Sequence, residues 1–130
     1  MCIEVYAIAA EPDKVSARRL SEVSGLRVRK RDRPFADSLH FSRESGCSCS
    51  LLGDDADWGA ATWEFVPEVL DGIAKALETL HSEAKGFTFR AIWMGDEPKT
   101  EAHVQLKDVL RDVRANKIKN KHVYKVGRAG

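Results

Sequence analysis

Apolar and polar residues alternate with a period of two in some stretches and a period of three to four in others. The switches between these periods lay out the elements. Over residues 2–9, Ile3, Val5, Ala7 and Ala9 form one face and Cys2, Glu4, Tyr6 and Ile8 the other, as in a strand. A helix is predicted next: Pro12 suits its first turn, Asp13 its electropositive end, and Gly25 the left-handed residue beyond its last turn. Its apolar stripe of Ala17, Leu20 and Val23 is thin. Residues 26–30 read as a short strand that buries Leu26 and Val28 and exposes Arg27 and Arg29. Two further strands, 37–43 and 47–52, lie close enough around Ser45-Gly46 to form a hairpin.

The strongest helical pattern runs through Val66, Val69, Leu70, Ile73, Ala74, Leu77, Leu80 and Ala84, with Pro67 at the first turn and Gly86 just past the end. An aromatic-rich strand follows over 87–94. A third helix over 105–115 carries Leu106, Val109, Leu110 and Val113 on one side, with Asn116 suited to a left-handed cap. The last strand is 122–126. The order β-α-β-β-β-α-β-α-β predicts an α/β (α+β) fold with a mixed sheet of about six strands. Glu4 and Tyr6 in the first strand and His40 and Ser42 in the third give those strands a polar face, so helices are expected on one side only, as a two-layer sandwich. A ferredoxin-like variant is one arrangement this order admits.

At 130 residues the chain is expected to form a single domain, residues 1–130, with a core that needs no disulfide or metal. No apolar run approaches the ~20 residues of a membrane span. Glu4 interrupts the would-be apolar core of a signal peptide, and a basic segment before it is missing. With three cysteines and no spacing that suggests a disulfide framework, a reducing, cytoplasmic setting is expected. The net charge of +1 hides a segregation. Residues 14–33 hold eight Lys/Arg and two acids, residues 44–74 hold seven acids and no Lys/Arg, and residues 117–130 hold five Lys/Arg and no acid. Such tracts can present surfaces of different sign to partners.

The stretch Gly46-Cys47-Ser48-Cys49-Ser50-Leu51-Leu52 poses the sharpest chemical question. A three-residue loop ending at Gly46 would put Leu39, Phe41, Cys47, Cys49 and Leu51 on one face of the hairpin and His40, Ser42, Ser48 and Ser50 on the other. That register makes both cysteines core residues. A zinc clasp would use wider spacing and a matched second pair. In an extended strand, residues two apart are ~6.6 Å apart, too far for a disulfide without a bend.

Two acidic loops form the other candidate. Gly53-Asp54-Asp55 follows one predicted strand and Gly95-Asp96-Glu97 another, and an intervening helix would make those strands parallel. Asp54, Asp55, Asp96 and Glu97, with Asp57, would then form one rim suited to a divalent cation such as Mg2+ or Ca2+. Trp58, Trp63 and Trp93 would wall a pocket beside it. The basic run Arg27–Arg33, with Phe35 nearby, has the residue types for nucleic acid, but the near-neutral whole chain argues against it. The four histidines are scattered, and neither a phosphate-binding glycine loop nor a Gly-x-Ser-x-Gly nucleophile turn occurs. The expectation is a small intracellular interaction or accessory domain without catalysis or cofactor. It would bind a protein partner or self-associate through the polar sheet face, with Tyr6 exposed there. The alternative is a metal-assisted enzyme using the acidic rim, and a nucleic-acid module is third.

Overall fold

The alternating residues of the first stretch build the middle of the sheet. In the computed structural model, which describes residues 2–43, 47–53 and 59–127, the chain forms β1 (Ile3–Ala9), α1 (Ala17–Ser24), β2 (Arg27–Arg31), β3 (Ser38–Ser42), β4 (Thr62–Trp63), α2 (Leu70–Ala84), β5 (Phe87–Trp93), β6 (Thr100–Val104), α3 (Leu106–Arg114), β7 (Ile118–Lys119) and β8 (His122–Val126). Six strands form one sheet in the order β2-β3-β1-β5-β8-β6, and β4 and β7 pair separately. Every neighbouring pair in the large sheet is antiparallel except β6 and β8, which are parallel and joined through α3. The first four of these strands, with α1 after β1 and α2 after β3, have the β-α-β-β-α-β connectivity of a ferredoxin-like core. Strands β8 and β6 extend that core beyond β5.

The helices cover one face. Ile3, Val5, Ala7, Phe41 and Phe89 from the sheet share a core with Leu20 of α1, Ile73, Leu77 and Leu80 of α2, and Val109 and Val113 of α3. Each fully buried side chain of this size contributes roughly 1.5–3 kcal/mol. The sandwich is therefore two-layered, with the opposite sheet face free of helices among the described residues. Among the described residues, no helix is long and apolar enough to cross a membrane.

Local sequence explains the helix boundaries. Pro12–Lys14 forms a separate 3-10 turn, and α1 begins only after Ser16, whose hydroxyl accepts the Arg19 N–H at 3.0 Å. Gly25 ends the helix at φ 70°, where its N–H returns to the Ser21 carbonyl. A 3-10 turn at Pro67–Val69 leads into α2, and Lys85 takes the left-handed position after it, at φ 61°. Asp108 completes a capping box with Gln105 at the start of α3. Asn116 is left-handed, as expected, and its amide also clamps both backbone groups of Phe65 at 2.8 Å.

Two strand assignments change in the large sheet, and the β4–β7 pair is additional to the expected strands. Residues 48–51 form a 3-10 turn rather than a strand of the large sheet, and Leu52 makes only an isolated bridge to Phe65. Residues 100–104, with few apolar side chains, form the edge strand β6.

Gly72 of α2 sets how closely that helix approaches the end of α1. A Cβ there would stand 2.4 Å from the Ser24 carbonyl oxygen and 3.2 Å from Leu26. In an open helix Gly→Ala gains up to about 1 kcal/mol. Here Gly72→Ala is expected to reverse that sign and cost roughly 1–3 kcal/mol as overpacking. A lowered urea midpoint at unchanged slope would show this, whereas a stabilised variant would mean that α2 and the end of α1 separate freely.

Candidate functional site

Cross-strand register defines what the uncovered face presents, because directly paired residues point to the same side. One row across four strands reads Arg29, His40, Tyr6, Arg90. The next, across all six, reads Arg31, Ser38, Ile8, Thr88, Lys125, His103. Arg27 pairs with Ser42 and Glu4 with Ile92 on the same face. Arg27, Arg29 and Arg31 are exposed on the edge strand, and none forms an ion pair among the described residues. At the opposite edge Lys125 is held by Glu101 at 3.0 Å.

Tyr6 is not exposed, contrary to expectation; it is 2% accessible. The β2–β3 connection folds back over the face. It is anchored by Ser38, whose hydroxyl lies 2.9 Å from the Arg31 carbonyl oxygen, and by His40 Nε2, 3.0 Å from the Arg33 carbonyl oxygen. Tyr6 stacks on His40 with ring centroids 5.0 Å apart. The Arg90 guanidinium sits 4.7 Å from the Phe35 ring centre and 5.8 Å from that of Tyr6, a cation–π arrangement. Its Nη1 donates a long bond of 3.4 Å to the Tyr6 hydroxyl, and its Nε is buried without a hydrogen-bond partner among the described residues. A buried donor in that state is costly unless a ligand engages it.

Arg90 lines a cavity of about 190 Å3 with Glu4, Tyr6, Pro34, Phe35, Ile92, Trp93, Gly95, Asp96, Glu97 and Pro98. Three of the residues singled out from the sequence, Trp93, Asp96 and Glu97, therefore meet here. Asp96 is engaged by Lys121 at 3.6 Å. Trp63 is elsewhere: it is buried, donates its indole N–H to the Ala91 carbonyl at 2.7 Å and packs edge-on against Trp93. Asp54, Asp55, Asp57 and Trp58 lie outside the described residues. The premise of two parallel strands leading into these loops does not hold, because residues 48–51 form a 3-10 turn and not a strand of that sheet. Burial raises the Glu4 carboxyl above its ordinary range, and the Arg31 charge opposes that shift.

The cysteine stretch is built differently from the expected hairpin. Ser48 is buried, and its hydroxyl accepts the Val5 N–H at 3.0 Å and donates to the Phe41 carbonyl at 2.6 Å. Ser50 accepts the Arg43 N–H at 2.9 Å. These hydroxyls pin the 3-10 turn across the end of β1 and β3; Cys47 and Cys49 are half-buried, and Cys49 packs against the edge of the core. They meet Cys2: the three sulfurs lie within 4.8 Å of one another. Cys49 Sγ also accepts the Ile3 N–H at 3.2 Å. Burial opposes ionisation of Cys47, but hydrogen bonds from Cys49 and Cys2 hold it below the usual thiol range. Burial and the bond to Cys47 push Cys49 up to about 12.

Comparison with protein-family models, with curated proteins and with solved structures yields no match. The site therefore rests on its own chemistry. Sequence reasoning missed Cys2 and Arg90. An odd count of three cysteines was the available signal for the first, and an arginine alternating with Phe89 and Ala91 in an apolar strand was the signal for the second.

His40 supplies a pH test. Burial lowers its pKa, the bond to the Arg33 carbonyl opposes this, and Arg31 adds to the lowering. The unfolded state thus binds more protons than the folded state as pH falls below about 6.5, and stability declines there. Urea midpoints measured from neutral pH to about pH 5 should fall for the native chain. They should fall less for His40→Gln; equal slopes would mean that His40 titrates normally.

Proposed function

We propose that this chain is a non-catalytic interaction domain that docks an acidic segment of a protein partner on its helix-free sheet face. The observation that carries this reading is the row of Arg27, Arg29 and Arg31, exposed and without ion pairs among the described residues, on the same face as the buried, unsatisfied Arg90 Nε three strands away. Carboxylates of the segment would lie along the arginines, where guanidinium groups offer paired donors. An adjacent apolar side chain would enter the cavity between Pro34, Phe35, Ile92, Trp93 and Pro98. Complementary charge of this kind sets encounter rate and specificity more than affinity.

The same face suits a nucleic acid less well. Base stacking needs an open ring; Tyr6 is covered by His40, and Phe35, although exposed, already meets Arg90. Glu4 and Glu101 also place negative charge on the face.

The test uses the full chain with two labelled probes: a glutamate-rich peptide bearing one Leu or Phe, and a mixed single-stranded RNA. The peptide should bind in a salt-sensitive manner. Arg29→Glu combined with Arg31→Glu should weaken it roughly tenfold, about 1.4 kcal/mol, with an unchanged thermal midpoint. Binding of RNA alone would replace this reading with the nucleic-acid one, and binding of neither probe would remove the face from consideration.

A further inference from the structure

All three cysteines of the chain converge, although 45 residues separate Cys2 from Cys47. We propose that Cys2, Cys47 and Cys49 form a three-thiolate site for a single soft, thiophilic metal ion of the Zn2+ or Cu+ type. This is independent of any docking on the open face.

The geometry needs little adjustment. A metal about 2.3 Å from each sulfur requires sulfur–sulfur separations of roughly 3.8–4.0 Å, so the observed limit of 4.8 Å leaves a closure of about 1 Å at most. Besides the Ile3 N–H to Cys49 Sγ bond, most of the scaffold is held by groups other than the thiols. Ser48 holds the turn to Val5 and Phe41, Ser50 holds it to Arg43, and Cys2 is placed by its carbonyl, which accepts the Met94 N–H at 2.9 Å. Hard cations are disfavoured, because no carboxylate belongs to the cluster and Mg2+ or Ca2+ would require oxygen donors. Thiolates select Zn2+ and Cu+. The exposed thioether of Met94, another soft donor, borders a small cavity that Cys47 also lines. A disulfide would join two of the sulfurs and leave the third unused, whereas a metal ion uses all three. Each thiol that ligates as a thiolate releases its proton to solvent, and no electron is transferred.

The experiment takes the reduced full chain under inert gas, with Zn2+ or Cu+ added alone. One ion per chain is expected, with all three cysteines shielded from alkylation, read by intact mass. Replacing Zn2+ by Co2+ should give sulfur-to-metal charge-transfer absorption. Cys2→Ser, Cys47→Ser and Cys49→Ser should each weaken binding at least tenfold while retaining the far-ultraviolet circular dichroism of the native chain. The alkylation result on the native chain does not depend on any variant folding. Failure to bind either ion, alkylation unaffected by the ion, full binding by Cys2→Ser, or a disulfide forming in preference to metal uptake would each overturn the proposal.

Discussion

One edge of β1 governs much of this structure. Along β5 the strand is paired from Ile3 to Ala9, but along β3 only Tyr6, Ala7 and Ile8 are matched. The Ile3 and Val5 N–H groups on that side would be left in a buried setting, where an unmade bond costs about 1–3 kcal/mol. Side chains satisfy them instead: Ser48 takes the Val5 N–H and Cys49 the Ile3 N–H. The tight turn at Ser48–Leu51, the position of Cys47 and the approach of Cys2 all accompany that substitution.

The same substitution explains why the segment was misread. Alternation of Ser and Cys, followed by Leu51, fits a period of two as well as it fits a turn whose serines bond to the backbone, and local side-chain bonds of that kind compete with strand pairing. The choice was decided by β1, more than 40 residues away in sequence, which no local pattern reports. Where burial follows directly from periodicity, the outcome differs. The stripe Ile73, Leu77, Leu80, Ala84 is buried as expected, and so are Ile3, Val5, Ala7 and Ala9. Strand β6 escaped notice because its side chains are mostly exposed and its pairing to β8 comes from the backbone.

The uncovered face was legible in outline and not in detail. Glu4, Tyr6, His40 and Ser42 do share it, as alternation implied. That Tyr6 is nonetheless buried depends on the return of Phe35 to Arg90, a contact between a loop and a strand 55 residues later in the chain. The acidic residues divide along the same line. Asp96 and Glu97 reach a cavity together with Trp93, but the neighbours that give this cavity its character, Arg90 and Phe35, come from tertiary proximity.

The edge strand β2 has a further property, which concerns copies of the molecule rather than partners. Two β2 edges meeting about a two-fold axis in antiparallel register centred on Arg29 would set Arg29 against Arg29 and Arg27 against Arg31. Like charges directly opposed across strands are destabilising, and charged edges resist sheet-to-sheet growth. The Arg-x-Arg-x-Arg spacing therefore disfavours the pairing of two β2 edges in that register.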